Sequence, residues 1–428
     1  MSRFFIYPLV LFSFLSVSTI SAQNENKINK QLAWKDVCYD LQIGNIQLYK
    51  GDEEISLPLL TLGMNEFLTL RFDDLSTTRS SLRYTIVHCN ADWEEDNLFL
   101  NEYMDGFQEN WFNNSMHSHA ARVGYQHYEL QIPNRDVQLK VSGNYLLKVY
   151  ERDASKPVFV RGFSIVEPKS TATLHVRPPM LTGERCLQQL EILVNHPQLE
   201  VRNAFRELKV RVEQNGYRLP NAEQPTPTFV ENNRTSFSQP DRNWYMGGNE
   251  FRFLDTRNLE FSGQGVAQMT TDDNGRAYAF LYPDDSRDRT YLYSRDLNGL
   301  YRTDAYRTRN RFIEADYVTS IFTLNAFNPF DGEVYVFGKL SNFTLHPEFR
   351  MDYNEERQAY ELNALLKQGL YNYRYLLVAN DGKVDWEAIE GCFAETENNY
   401  NVYVYYRGIR DRHDRLVGVF TINTATNR

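Results

Sequence analysis

The 428-residue chain is long enough for two to four domains at roughly 150 residues each, and its 42% hydrophobic and 24% charged content excludes disorder, collagen-like repeats and coiled coil as the main organisation. With 46 basic against 56 acidic residues, a net charge of -10 repels phosphate backbones and anionic lipid, which argues against sequence-independent nucleic-acid binding. A load of 28 Tyr and 27 Phe suits pleated, half-buried surfaces and points to a β-rich protein.

Arg3 precedes an apolar stretch over residues 4–17, which ends in small residues at 18–22 (STISA). That is the pattern of a secretory signal peptide, placed at 1–22. The stretch falls short of the roughly 20 apolar residues that span a bilayer and contains Pro8, and no later segment is long enough for a membrane helix. The first cysteine, Cys38, lies well beyond the expected cleavage site, so no lipid-attachment cysteine and a soluble mature chain are expected.

Alternating apolar and polar runs follow at 66–72 (EFLTLRF), 82–87 (LRYTIV), 144–150 (NYLLKVY) and 158–165 (VFVRGFSI), separated by turn chemistry. Period-2 alternation is the strand signature, and the lack of regular helical insertions favours antiparallel sandwiches. The fold class expected is all-β, with tandem antiparallel β-sandwich domains of immunoglobulin-like or early-set type. The first sandwich is placed at 24–166.

Pro168 and the pair Pro178-Pro179 then interrupt the pattern, because proline removes a ladder donor and holds its predecessor extended. A middle sandwich-like domain, 167–315, carries strand-like runs at 190–194, 208–212 and 277–282, a turn at Asn215-Gly216 and a long proline-bearing connection over 219–227. The C-terminal domain, 316–428, has runs at 317–324, 333–338, 371–378, 401–406 and 416–422, and is the size of one immunoglobulin-like sandwich. Short helices are expected only near 101–112 and 388–390.

His117, His119 and His127 invite a metal reading, but they lie in a polar, loop-like segment without a fourth ligand at a zinc-like spacing. Residues 271–275 (TDDNG) offer oxygens to a cation yet read better as a hairpin turn around Asn274-Gly275. No nucleophile-elbow, zinc-protease, Walker-type or dinucleotide-binding pattern occurs, and no carboxylate pair stands out, so no enzyme, metal or cofactor is expected. Cys38, Cys89, Cys186 and Cys392 allow three connectivities and read best as buried thiols. Glu250 and Arg252, with Asp255, form a charge cluster on an apolar strand, either for a partner or as a self-satisfied salt-bridge network, the latter preferred. Trp93 beside Asp92, and Trp111 beside Phe112, read as core or interface anchors.

The segment 334–343 (VYVFGKLSNF), followed by 369–375 (GLYNYRY), resembles the early-set sandwich of glycogen-binding modules, with Phe343 where the sugar binders carry Trp. Over most of its length, from about residue 35 almost to the C-terminus, the chain also resembles the plug family of the bacterial type IX secretion system, found in Bacteroidota. The strings that carry the likeness are 84–93 (YTIVHCNADW), 102–107 (EYMDGF), 132–134 (IPN), 142–145 (SGNY), 214–216 (QNG), 247–255 (GGNEFRFLD), 315–317 (ADY) and 365–369 (LLKQG).

That resemblance implies a non-enzymatic periplasmic protein, peripheral to the outer membrane, that docks on the outer-membrane translocon barrel protein and closes its pore while no substrate is engaged. It implies no nucleic acid, no direct membrane span and no cofactor, and a monomer is expected. The family offers no catalytic residues to carry over. Asn90, Asp92, Trp93, Asp105, Phe107, Glu250 and Arg252 are the candidate partner-binding residues. The alternative is a periplasmic or surface carbohydrate-binding module using Phe343 and nearby tyrosines; secreted cargo of the same system and an outer-membrane barrel rank lower.

Overall fold

Between Val37 and Val166 the strands form two main sheets whose facing rows meet, and central strands such as Gly143–Tyr150 and Phe159–Val166 are buried on both faces. The computed structural model describes residues 35–76, 81–178, 186–218, 224–239 and 242–427; the expected signal peptide lies outside them. One sheet runs Val37–Cys38, Phe159–Val166, Gly143–Tyr150, Arg83–Cys89 and Asn110–Trp111, with Leu59–Thr61 added in parallel to Phe159–Val166. The other runs Ile43–Lys50, Leu68–Asp74, Gln126–Ile132 and Ser115–His117. Leu70, Phe72, Ile86, Tyr145, Leu147 and Phe159 fill the space between them. Buried tyrosines keep their hydroxyls paired, Tyr145 donating to Val141 O at 2.7 Å and Tyr103 to Ile86 O at 3.2 Å, which removes the cost of burying an unpaired polar tip.

Beyond Val166 the regular structure is again mostly strand, paired antiparallel apart from Ala277–Leu281 against Tyr317–Asn325, as the patterning predicts for an all-β chain. Strands from either side of residue 315 nevertheless share sheets, so the segments 167–315 and 316–428 are interleaved. Leu208–Gln214 pairs with Asn399–Tyr406, which pairs with Arg415–Asn423. Arg252–Asp255 and Tyr301–Thr303 both pair with Gly369–Ala379 inside a ten-stranded sheet. Leu190, Val210, Phe337, Leu376 and Val402 accordingly belong to one core. A strand's period shows that it is a strand, whereas its partner is set by contacts too distant to leave a local mark.

Among the described residues helix is confined to single turns. Of the 101–112 expectation only Leu100–Tyr103 is helical, and 388–390 is a turn. Asn274-Gly275 does turn a hairpin between Val266–Thr271 and Ala277–Leu281. Among the described residues no helix is long and apolar enough to cross a membrane.

The first sandwich meets the rest along a polar seam. At its centre the buried Asp73 carboxylate accepts from Lys367 Nζ at 2.7 Å and from the Tyr317 hydroxyl at 2.9 Å, and lies 2.6 Å from His127 Nδ1. Lys367 also sits 4.1 Å from the centre of the Tyr125 ring and donates to Phe312 O. Ion pairs this deep hold only when their remaining hydrogen-bonding capacity is met, as the tyrosine and the carbonyl do here.

Candidate functional site

The segment after Arg83–Cys89 runs back along that strand, from a bridge between Cys89 and Glu95 to the pairing of Asn110–Trp111 with Arg83 and Tyr84. Phe99 N–H donates to Glu102 Oε2 at 2.7 Å and starts the helical turn Leu100–Tyr103. Met104–Gly106 then pairs with Val137–Leu139. Gly106 is required there: its φ is +133°, and a Cβ would meet Asp136 O at 2.0 Å. Lys140 ties the turn down, reaching Asp105 Oδ1 and Asn101 O at 2.9 Å each. Asn110 Nδ2 closes the next turn on Phe107 O at 2.8 Å.

Tyr103, Met104 and Phe112 point into the core and anchor this segment. Its other aromatics point out, Phe99 and Phe107 70% exposed and Trp111 50%. A groove lined by Phe99, Leu100, Met104 and Asp105 lies along it. Arg412 stands 5.6 Å from the Phe99 ring and Arg83 4.1 Å from the Trp111 ring, each also paired with a glutamate of the segment, Glu102 and Glu109, so the exposed rings along this edge alternate with ion pairs. Of the seven candidate residues, Asp105 and Phe107 lie here, on the surface. Phe99 was not singled out from the sequence, since a phenylalanine facing solvent and one facing a core look alike in a short string.

Asn90, Asp92 and Trp93 are engaged within the protein. Asn90 Oδ1 accepts the N–H groups of Asp92 and Glu94 at 2.8 and 3.1 Å, forming a tight turn. Trp93, at φ +63°, is buried with Cys89, Leu146 and Val160, and its ring rests so close to Gly162 that a Cβ there would approach it to 2.6 Å. Asp92 accepts a two-pronged bond from Arg211 at 2.8 and 3.1 Å, and the neighbouring Ala91 N–H donates to Asp414 at 3.0 Å. This loop fastens the first sandwich to strands of the remaining structure.

Glu250 and Arg252 are separate sites two residues apart. Arg252 donates to both oxygens of Glu390 at 3.0 and 3.2 Å and to Asp284 at 2.6 Å, and Arg287 reaches Glu390 at 2.6 Å. Burial alone would raise the Glu390 carboxyl, but the two guanidinium groups hold it down at about 2. Asp255 instead pairs with Arg257 at 2.6 Å. Glu250 has no cation of this kind: Tyr291 donates its hydroxyl and Glu397 its N–H to Oε1, while Oε2 has no partner among the described residues. Burial, with the Asp296 and Glu397 carboxylates adding to it, pushes Glu250 up to about 7. Asp296 is likewise raised by burial to about 6, although the Phe251 and Asn298 N–H groups donate to it.

The histidines do not form a ligand set. His127 is buried against Asp73, His117 is exposed, and His119 is held through its N–H to Ile313 O. Among the described residues the group that comes within ligating distance is Cys186, Glu387 and Cys392, and its two sulfurs are joined as a disulfide. That bridge corrects the expectation of four buried thiols, which Cys89 meets as a buried free cysteine and Cys38 as a half-buried one. A separation of 206 residues explains why spacing gave no sign of it. Phe343 offers no face to a sugar at the surface: it is 4% exposed and stacks on Tyr217 at 4.9 Å.

Residues 43–167 match a family model described as the Type 9 secretion system plug protein 1st domain, and this span corresponds to the first sandwich. Among solved structures, a hypothetical protein from Parabacteroides merdae is 32% identical and superposes with a TM-score of 0.84, the match covering 91% of this chain and 99% of that one. The C-terminal domain of AspA, an antigen I/II-family protein of Streptococcus pyogenes, aligns over 88% of this chain and 98% of its own at 8% identity, with a TM-score of 0.16 that carries no weight for fold or function. No curated protein matches the chain.

Proposed function

The chain belongs to the type IX secretion system plug family, and on that premise we propose that it is a non-enzymatic periplasmic plug that docks on the outer-membrane translocon barrel and closes its pore in the absence of substrate. The observation that carries the reading is the outward aromatic strip of Phe99, Phe107 and Trp111 on the first sandwich, within the span matched by the family model. A closure that keeps solutes out needs a well-packed contact with little charge at its centre and a polar rim. The exposed rings supply the apolar part of such a contact, and the ion pairs among them, Lys140–Asp105, Arg83–Glu109 and Arg412–Glu102, leave no net charge to be buried unpaired. Asp105 and Phe107 are therefore the two candidates proposed to touch the barrel. Asn90, Asp92, Trp93, Glu250 and Arg252 are proposed to support the contact by fixing the shape behind it.

The test is gentle detergent extraction of envelopes from cells carrying a C-terminally tagged copy, affinity purification and mass spectrometry. One very large outer-membrane barrel protein should be recovered in near-equal amount, and Phe99→Ala/Phe107→Ala should lower that recovery at least tenfold. Recovery of the tagged chain alone would overturn the reading.

A further inference from the structure

Leu208 and Tyr406 face each other at the end of one ladder, where one strand begins and the other stops. Just before Leu208 lies the single helical turn Ala204–Glu207, and just after Tyr406 lies the connection 407–414 that returns the chain to Arg415–Asn423. The two turns are bonded together, because Arg407 N–H donates to Glu207 O at 2.8 Å and the Tyr406 hydroxyl donates to Glu200 O at 3.0 Å. Each lifts one large apolar side chain into solvent: Phe205 is 66% exposed and Ile409 82%. Around them the sign of the protein's charge reverses. Residues 200–209 and 406–415 hold seven Lys or Arg and four Asp or Glu, in a chain whose net charge is -10. The four acids are engaged within the chain: Glu200 pairs with Arg202 at 3.0 Å, Glu207 accepts the Arg202 N–H at 2.8 Å, Asp411 accepts the Gly408 N–H at 2.9 Å, and the buried Asp414 accepts from Lys209 at 3.0 Å. Arg206 and Arg410 are exposed, one next to each apolar side chain, and neither guanidinium meets a carboxylate among the described residues.

We infer that these two turns dock on an anionic phospholipid surface, with Phe205 and Ile409 entering the headgroup layer and Arg206 and Arg410 binding its phosphates. A guanidinium matches a phosphate with two parallel hydrogen bonds. Charge attraction at a membrane acts within a screening length of about 8 Å at physiological ionic strength, so the local excess of arginine counts for more than the negative charge spread over the rest of the chain. A bilayer interface accepts single apolar side chains with cations beside them, because the cations stay hydrated among the headgroups. An acidic protein surface would also suit the arginines, but packing against Phe205 and Ile409 would take water from the adjacent guanidinium groups, a cost the headgroup layer does not impose. Arg412 in the same connection pairs with Glu102 and stands by Phe99, so docking would bring the aromatic strip close to the same membrane. The inference does not depend on the plug reading, since neither Phe99 nor Phe107 is needed for it.

Vesicle flotation of the full mature chain tests it, with vesicles of phosphatidylethanolamine and phosphatidylglycerol in one arm and of phosphatidylcholine alone in the other. Two double variants are compared with the natural chain, Arg206→Glu/Arg410→Glu and Phe205→Ser/Ile409→Ser. All four side chains are exposed, and urea unfolding checks that the fold is kept. The expected result is binding to the phosphatidylglycerol vesicles that falls as salt is added, is at least tenfold weaker in each double variant, and is absent with phosphatidylcholine. A third variant, Ile409→Trp, should gain a tryptophan emission that is quenched by phosphatidylglycerol vesicles whose acyl chains are brominated near the headgroup. No binding to phosphatidylglycerol vesicles, equal binding to phosphatidylcholine, binding that either double variant leaves unchanged, or unquenched emission from Ile409→Trp each overturns the proposal and leaves the turns to an acidic protein surface.

Discussion

Glu390 and Glu250 are each about 1% exposed and sit in neighbouring parts of the same structure, yet they are held in opposite states. Glu390 lies at about 2 and is a charged carboxylate under all ordinary conditions; Glu250 lies at about 7 and is half protonated near neutrality. Burial works in the same direction on both, so it does not explain the difference. The partners do: two guanidinium groups face Glu390, while Glu250 faces a tyrosine hydroxyl, a backbone N–H and two other acids. A sequence places Glu250 and Arg252 side by side; the fold gives the arginine to Glu390, 138 residues on.

The comparison breaks most sharply if the Glu390 partner is removed. Arg252→Met keeps the packing against Tyr375 but leaves a buried carboxylate with Arg287 alone, and should cost about 4 kcal/mol in urea unfolding, near the 3–5 kcal/mol range for breaking a buried pair. Arg252→Met/Glu390→Gln should recover a large part of the loss, because the orphaned charge is then gone. Next in size is the Cys186–Cys392 bridge. Cys392 lies between Glu390 and the Glu397 N–H that binds Glu250, so the bridge holds both sites in place. Replacing both cysteines by serine should cost about 2–4 kcal/mol, the usual range for a disulfide, and should flatten the pH dependence at both ends.

That pH dependence gives the third test, and the two carboxylates contribute with opposite sign. The Glu390 value lies below the ordinary 4.5, so its stabilisation is present above pH 4.5 and lost as the pH falls toward 2. The Glu250 value lies above 4.5, so its contribution is fully present below pH 4.5 and lost as the pH rises through 7. Asp296, raised to about 6, adds to the same loss. Glu250→Gln should therefore change little at pH 5 and be more stable than the natural chain at pH 8 by about 2 kcal/mol. Equal pH profiles for the two proteins would show that Glu250 is ionised at little cost.

Strand positions were legible where alternation was clean: the run at 144–150 is the strand Gly143–Tyr150, and 371–378 lies within Gly369–Ala379. Ile43–Lys50 was not legible, because a bulge between Gly44 and Gln47 breaks the period, nor was Thr171–Arg177, a sheet-edge strand with no fully buried row. Pairing was the larger blind spot. Asp73 and Lys367 are 294 residues apart, and each alone reads as an ordinary exposed charge. The same limit governs the candidate site. Asp92, a candidate for an outside partner, is bound to Arg211; Trp93, read as a core or interface anchor, is an anchor inside the protein; and Phe343 copied a sugar-binding pattern on a side that faces the core.

The smallest expected effect on stability is also the one that separates folding from function. Phe107 is held by its backbone, through Asp136 O and the Asn110 side chain, and its ring is mostly in solvent. Truncating it removes little buried area, so Phe107→Ala should shift unfolding by no more than about 0.5 kcal/mol. Trp93→Ala, by contrast, empties a packed pocket and should cost about 3–5 kcal/mol. If the aromatic strip meets the translocon, Phe107→Ala should lose the barrel while unfolding normally, and envelopes should become permeable to solutes otherwise excluded. A variant that keeps the barrel and the seal would move the contact to another face. Because the substitution leaves the fold untouched, neither result can be attributed to unfolding.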